Sequence, residues 1–193
     1  MSPFALHLLR HGEAETPGLM MGRTDGMPTA AGIAACVEQA RDLGLKVLIA
    51  SDLARARLAG EAIGKERALP LAIDQRWREL DFGAWDGLLP ADIDSAALGR
   101  FWEDPNSCAP PGGERWSELM ARVATAIQSL GPVPTLVVTH GGVMRAALAV
   151  LCGFDQRQIW AFDLPCAGLL SLRVWPKGGL GERPSAQIVG IYP

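Results

Sequence analysis

This 193-residue sequence has no long apolar run, no excess of basic residues and no closely spaced cysteine pair. Without a run of about 20 apolar residues, we expect no membrane-spanning helix. The formal charge of −3, from 18 Lys and Arg against 21 Asp and Glu, disfavours a nucleic-acid-binding protein. The four cysteines form no C-x-x-C pair, so they do not indicate a disulfide framework. The first residues, MSPFALHLLRHG, lack the pattern of a signal peptide, so we expect a cytoplasmic protein.

The composition is that of a folded chain, because 49% of the residues are hydrophobic and only 20% are charged. The length predicts a single domain over residues 1–193. Apolar segments typical of strands alternate with helical patterns, which predicts an α/β fold with a mostly parallel central sheet. The predicted strands are 4–10, 47–51, 135–139, 167–175 and 186–192.

Helical spacing of apolar residues predicts four helices between these strands. They are 29–43 with Thr29 as N-cap, a helix capped by Asp52 that runs through Lys65, a helix around 119–130, and 143–151. The segment RWREL at 76–80 predicts a short edge element. The segment 167–175 alternates apolar and polar residues, which is typical of a half-solvated strand at a sheet edge.

Residues 81–113 interrupt the alternation with DFGAWDG, an acidic helical stretch and the loop SCAPPGG. Such an excursion is either a cap over an active site or a surface insertion without function. Six tryptophans invite comparison with a ligand-stacking site. Trp77 and Trp160 are predicted to be packing residues, whereas Phe101, Trp102 and Trp116 flank the excursion. For these three, core packing and stacking against a planar ligand group both stay open.

Polar residues follow the carboxyl ends of the predicted strands, where ligands bind in open α/β sheets. They are Arg10-His11-Gly12, Arg55 one turn into the second helix, Glu79, and His140-Gly141-Gly142. Histidine is a competent nucleophile towards phosphorus, and two arginines suit a phosphoryl dianion. Glycines free backbone N–H groups at a helix start for an anion. The set predicts phosphoryl transfer without a metal ion, in which Glu79 supplies the proton that the leaving oxygen needs.

Five motifs follow one another along residues 8–146: LLRHGE, SDLARA, RELDFGAWDG, PPGGE and VVTHGGVMRA. In this order they resemble the histidine phosphatase superfamily, the phosphoglycerate-mutase-like group. The resemblance implies a three-layer α/β/α sandwich with a short cap insertion at about 81–113. It implies His11 as the phosphorylated nucleophile, Arg10 and Arg55 as phosphate-binding arginines, His140 as a second phosphoryl contact, Glu79 as the proton donor and Gly141 as a backbone donor.

Three positions depart from the family pattern, in which threonine is usual where Ala14 and Ala59 stand and asparagine is frequent where Pro17 stands. The segment 18–32 aligns with the family's substrate loop, which makes Met21, Gly22 and Arg23 candidate substrate contacts. The segment 97–114 is similar to that of proteobacterial α-ribazole phosphatases, enzymes of cobalamin biosynthesis.

The expected function is therefore a metal-independent phosphomonoesterase that acts through phosphorylated His11, with α-ribazole 5′-phosphate as substrate. The alternatives are a broad-specificity or sugar phosphatase of the same mechanism, a phosphoglycerate mutase, and a phospho-ligand-binding module without turnover. The short cap argues against the mutase, and only Ala14, Pro17 and Ala59 support the binding module. We expect a small phosphorylated metabolite as partner, no cofactor, no metal, no nucleic acid and no membrane, and we leave a homodimer open.

Overall fold

The fold, taken from a computed structural model that describes residues 2–176 and 184–193, is built on a six-stranded sheet. Its strands are β1 Phe4–Arg10, β2 Val47–Ala50, β3 Leu71–Ile73, β4 Thr135–Thr139, β5 Leu169–Trp175 and β6 Ser185–Tyr192. They lie in the order β3-β2-β4-β1-β5-β6. The pairs β1–β4, β2–β3 and β2–β4 are parallel, whereas β5 is antiparallel to both β1 and β6. Of these six strands, β5 alone is therefore reversed.

Helices cover both faces of the sheet. They are α1 Ala30–Ala40, α2 Ala54–Arg67, α3 Ser95–Glu103, α4 Trp116–Gln128, α5 Gly141–Cys152 and α6 Gln156–Ile159. Alternate residues of β4 point to opposite cores: Leu136 and Val138 pack with α1 and α2, and Val137 packs with α4 and α5. Because both faces are covered, β4 is buried over its whole length. The predicted α/β/α sandwich with a mostly parallel sheet is confirmed.

Local sequence signals set several helix ends. The hydroxyl of Thr29 accepts a hydrogen bond from the N–H of Gly32 at 2.9 Å and caps α1 as predicted. Gly153 ends α5 in the left-handed conformation, with a φ of 72°. No helix of the two described ranges combines the length and apolar character that a membrane span requires.

Two predictions about local structure next to α2 are wrong. Asp52 does not cap α2, which begins at Ala54 after Leu53; its carboxylate instead accepts a hydrogen bond from Nε of Arg78 at 2.7 Å. The segment 76–80 does not form an edge element, because a short 3₁₀ turn occupies Gln75–Trp77. The sheet edge is β3, which has only three residues and so shows no periodicity in the sequence.

The prediction of an edge position for β5 is also wrong, since β5 lies between β1 and β6. The polar residue that suggested a solvated face, Ser171, is buried and lies 2.8 Å from Nδ1 of His7. A satisfied hydrogen bond allows both polar side chains inside the sheet. Within β5, only Arg173 is exposed.

The excursion at 81–113 packs through an aromatic cluster. Phe101 of α3 is buried, and its ring meets Phe82 and Trp85 edge to face at 6.1 and 5.7 Å. The same helix places Trp102 at the wall of a cavity that also contains His11. Trp77 is fully buried, as predicted for a packing residue. The excursion is thus anchored to the core and borders the predicted site.

Candidate active site

A cavity of about 820 Å³ opens at the carboxyl ends of β1 and β4. The charged and backbone groups in its wall come from β1, the segment before the excursion and the start of α5. They are Arg10, His11, Glu13, Glu79, Gly141, Gly142 and Arg145. Arg55 and His140 are fully buried and are not among the described residues that line the cavity. The residues that follow β1 and β4 therefore meet at one edge of the sheet, as that argument predicts, whereas Glu79 reaches the cavity from the segment after a 3₁₀ turn.

One ring nitrogen of His11 is hydrogen-bonded, and the other is free to react. Its Nδ1 lies 2.7 Å from the carbonyl oxygen of Gly12. A carbonyl only accepts, so Nδ1 carries the proton and Nε2 keeps its lone pair. Burial, followed by the positive charge of Arg55, lowers the pKa of His11 to about 3. The imidazole is neutral above that pH, which is the state a nucleophile needs.

His140 follows β4 directly and lies at the N-terminus of α5, fully buried. Its ring centroid is 5.1 Å from that of His11. Burial, and then the charge of Arg55, lowers the pKa of His140 well below its usual range. Neither of its ring nitrogens has a hydrogen-bond partner among the described residues. A buried, unpartnered imidazole beside His11 is suited to a hydrogen bond with an anion.

Two arginines flank the histidines. The Nη1 of Arg10 donates to the carbonyl of Leu164 at 2.7 Å. The fully buried guanidinium of Arg55 donates to the carbonyls of Met21 and Gly22, at 2.9 and 2.8 Å. Arg55 therefore also fixes the predicted substrate loop. The Nε of each arginine is buried without a partner in the described part of the chain.

Glu79 is held against the start of α5. The N–H of Gly142 donates to its Oε2 at 3.0 Å, and the N–H of Leu80 donates to its Oε1 at 2.9 Å. A Cβ at Gly142 would lie only 2.3 Å from Oε1, so a larger residue would displace the carboxylate from this position. The sequence argument assigned this glycine to an anion, whereas the structure shows that it accommodates Glu79.

Arg122, which sequence reasoning missed, fixes the segment that carries Glu79. Its five N–H groups all have acceptors, since it pairs with both oxygens of Glu114 at 2.7 and 2.8 Å and donates to three backbone carbonyls. Those carbonyls belong to Arg76, Arg78 and Glu79, at 2.6 to 2.8 Å. The available signal was an arginine next to Val123 on the apolar stripe of α4.

Arg145 was also missed and lies in the cavity wall. Its Cζ is 4.4 Å from the ring centroid of Trp160, a cation–π contact. Its Nη1 lies 3.3 Å from the carbonyl oxygen of Gly141, and its Nε is buried and unpartnered within the described chain. A charged residue in the otherwise apolar helix α5, five positions after His140, was the signal in the sequence.

Of the three candidate substrate contacts, only Met21 lies in the described part of the cavity wall. Met21 lines the cavity, as does Pro17. Gly22 and Arg23 are not among the described residues that line it. The guanidinium of Arg23 instead lies 3.6 Å from Asp81, and a Cβ at Gly22 would meet the carbonyl oxygen of Leu80. Their positions therefore support a role in fixing the loop rather than in contacting substrate.

The prediction of a packing role for Trp160 is wrong. Its side chain is 43% exposed and lines the cavity together with Trp102. Trp160 follows the helix α6, which has only four residues. So short a helix shows no apolar periodicity in the sequence, so the exposure of Trp160 could not be predicted. Trp116 also lines the cavity, so the residues that flank the excursion do reach the site.

The arrangement offers a neutral imidazole nucleophile, a carboxyl group and several cationic or N–H donors on one wall. Such donors can stabilise the charge on three phosphoryl oxygens. Residues 2–176 and 184–193 contain no cluster of three or more His, Cys, Asp or Glu placed to hold a metal ion. The four cysteines, Cys36, Cys108, Cys152 and Cys166, are all free thiols.

The sequence and the fold are similar to those of known phosphatases. Residues 6–183 match the family model of the histidine phosphatase superfamily (branch 1). A glucosyl-3-phosphoglycerate phosphatase of Mycolicibacterium vanbaalenii is 29% identical over 96% of this chain and 84% of its own length. An adenosylcobalamin/alpha-ribazole phosphatase of Escherichia coli is 30% identical over 81% of this chain and 83% of its own. The native structure of a mycobacterial glucosyl-3-phosphoglycerate phosphatase superposes with a TM-score of 0.83, at 27% identity and 96% coverage of both chains.

Proposed function

The chain belongs to the histidine phosphatase superfamily and is a phosphatase, and we propose that it hydrolyses α-ribazole 5′-phosphate through a phosphohistidine on His11. One observation carries the mechanism. In the described ranges, six buried side-chain nitrogens have no partner, and five of them belong to Arg10, Arg55, His140 and Arg145. Unpartnered buried polar atoms are costly, and the arginine N–H groups and one ring N–H of His140 among them are donors, so their concentration around His11 supports an anion site.

In the proposed first step, Nε2 of His11 attacks phosphorus as the ester P–O bond breaks. Glu79, protonated at this stage, gives its proton to the leaving alkoxide oxygen. Arg10, Arg55, His140 and the N–H of Gly141 hydrogen-bond the phosphoryl oxygens, which carry negative charge throughout. Because these donors are already in place, the mechanism needs no metal ion to neutralise the phosphoryl group.

In the second step, a water molecule attacks the phosphohistidine. The Glu79 carboxylate takes a proton from that water, the P–N bond breaks, and inorganic phosphate leaves with His11 neutral again. Because Nδ1 keeps the proton that it donates to Gly12, breaking the P–Nε2 bond leaves a neutral imidazole without any further proton transfer.

Two resemblances support the proposed substrate. The segment 97–114 and the relative from Escherichia coli favour α-ribazole 5′-phosphate. A sugar phosphatase of the same mechanism is the second candidate, since a glucosyl-3-phosphoglycerate phosphatase is similar over 96% of the chain.

Phosphate release in the presence of EDTA tests both candidates. The substrates are α-ribazole 5′-phosphate, glucosyl-3-phosphoglycerate, 3-phosphoglycerate and p-nitrophenyl phosphate. We expect kcat/KM to favour α-ribazole 5′-phosphate by about 100-fold, or about 2.7 kcal/mol of transition-state discrimination. A preference for glucosyl-3-phosphoglycerate would replace the substrate. No phosphate release from any ester, with or without EDTA, would favour the binding module.

Replacing the nucleophile tests the intermediate. We expect His11→Ala to abolish turnover and to prevent incorporation of acid-labile phosphate into the protein, because no other described side chain occupies its position. His7→Gln is the matched control, since His7 contacts Ser171 inside the sheet and does not line the cavity. Near-normal turnover of the His11 variant would contradict the assignment.

A further inference from the structure

A chain of contacts leads from the phosphoryl donors to the exposed tryptophans of the cavity. A Cβ built at Gly141 would lie 3.2 Å from Nη1 of Arg145, so that guanidinium borders the start of α5. Its Cζ stacks on Trp160 at 4.4 Å, and the centroid of Trp160 is 5.3 Å from that of Trp102. The guanidinium of Arg145 therefore lies between the phosphoryl donors and the indoles, and a leaving group that contacts the indoles has to extend past it.

Trp102 and Trp160 are much more exposed than two tryptophans that pack in the core, Trp77 and Trp85. Trp102 and Trp160 are 42% and 43% exposed, whereas Trp77 and Trp85 are 0% and 8% exposed. They come from separate elements, α3 and the residue that follows α6, yet they meet at an angle of 85°. Exposed aromatic rings that converge in a cavity are typical of a ligand site rather than of a core.

The corner has a shape that suits a flat ring. Perpendicular indoles offer one face for stacking and one edge for a T-shaped contact, the two arrangements that aromatic pairs prefer. Arg145 fixes the orientation of Trp160 from the side of the phosphoryl donors. The cavity of about 820 Å³ is far larger than a phosphoryl group needs and falls in the range that holds a whole small molecule.

We propose that Trp102, Trp160 and Arg145 form a subsite for a planar heteroaromatic ring in the leaving group of the substrate. The spacing favours a ring joined to the phosphate through a sugar-sized linker, as in a riboside 5′-phosphate. Trp102 and Trp160 contact the ring, and Arg145 positions Trp160. The proposal rests on the phosphatase function proposed above and assigns the residues that select the leaving group.

A matched pair of substrates isolates the ring. α-Ribazole 5′-phosphate and ribose 5-phosphate share the phosphate and the sugar and differ by the aromatic base. We expect Trp102→Leu and Trp160→Leu each to lower the ratio of their kcat/KM values by at least about tenfold, which corresponds to about 1.4 kcal/mol. Trp175→Leu is the matched control and should leave the ratio unchanged, because Trp175 ends β5 and is not among the described cavity residues.

Three outcomes would overturn the subsite. An equal loss on both substrates would mean that the indoles only support the phosphoryl site. Unchanged kcat/KM values for both substrates in both variants would mean that the ring binds elsewhere. An unchanged ratio with a selective loss for 3-phosphoglycerate in Arg145→Met would mean that this wall binds a carboxylate.

A binding measurement separates this proposal from the proposed function. In His11→Ala, which is not expected to turn over, calorimetric titration with α-ribazole 5′-phosphate should give a Kd that Trp160→Leu weakens at least about tenfold. That result supports the subsite even if the wild-type protein hydrolyses neither ester. Turnover that depends on His11 but a Kd unaffected by Trp160→Leu would retain the phosphatase and refute the subsite.

Discussion

Gly142 has no side chain, and a methyl group at this position would lie 2.3 Å from Oε1 of Glu79. The same residue donates its N–H to the other carboxylate oxygen. One residue without a side chain thus both makes room for the proposed acid and orients it. A comparable contact fixes the nucleophile, because a Cβ at Gly12 would lie 2.1 Å from the carbonyl oxygen of Gly32 in α1. The glycines that follow both histidines serve close packing.

We expect Gly142→Ala to lower kcat/KM by about 100-fold for alkyl phosphates, because the methyl group displaces the proposed general acid. The loss should be smaller for p-nitrophenyl phosphate, whose leaving group departs without a proton. Steady-state kinetics on both esters measures the difference. Gly99→Ala is the control, since Gly99 is exposed in α3 and has no atom within 4 Å of its added Cβ. Equal losses on both esters would contradict the acid role.

At the scale of elements, α4 holds the segment between β3 and the excursion in place through one side chain. The guanidinium of Arg122 uses all five donors on this segment and on Glu114. Both members of the pair are largely buried, with side-chain exposures of 18% and 12%. The position of Glu79 is therefore determined by an arginine that does not reach the cavity.

We expect Arg122→Met to lower the free energy of unfolding by about 3–5 kcal/mol, because it leaves the carboxylate of Glu114 and three carbonyls without their partner. Urea unfolding measures the change. Arg57→Met is the control, because Arg57 pairs with Glu61 on the exposed side of α2 and should cost under about 0.5 kcal/mol. Equal changes in the two variants would show that the buried Arg122 contacts stabilise the fold no more than an exposed ion pair does.

The sequence predicted the elements whose signal is local and continuous. TLVVT reads as a buried strand because both faces of β4 are covered, and its bounds are confirmed. Three-residue β3 has too few positions for a periodicity, and the neighbours of β5 depend on the path of the whole chain. The predicted residues that follow β1 and β4 come together because strand ends share one edge, whereas Arg55 lies in α2 and Glu79 follows a 3₁₀ turn. Arg145 lies inside the motif VVTHGGVMRA but was missed, because the motif does not show that its guanidinium contacts Trp160.

Across the whole molecule, all three histidines are neutralised by burial. His7 lies within β1, and His11 and His140 follow β1 and β4. Burial is the largest cause of the lowered pKa in each of the three. The unfolded chain binds protons at these side chains near pH 6.5, whereas burial lowers the pKa of each in the folded chain, most strongly for His11 and His140. Acidification therefore draws the equilibrium towards the unfolded chain.

We expect the free energy of unfolding to fall as the pH is lowered from about 6.5 towards about 3, by up to about 1.4 kcal/mol per pH unit for each fully shifted histidine. Stability is present above the unfolded pKa and is lost on the acid side. Urea unfolding at pH 7, 6 and 5 measures the slope. His140→Gln should flatten it, since glutamine does not titrate. A wild-type stability that is equal at pH 7 and pH 5 would contradict this linkage.

The two walls of the cavity have separate origins in the chain. Of the groups proposed to act on phosphorus, Arg10 and His11 lie at the end of β1 and Gly141 at the start of α5, whereas the aromatic corner comes from α3 and the residue after α6. The residues proposed to act on phosphorus and the residues proposed to bind the leaving group thus belong to different elements of the fold. Changes confined to α3 or to the residues around Trp160 would redirect the enzyme to other esters while the steps of the reaction stay the same.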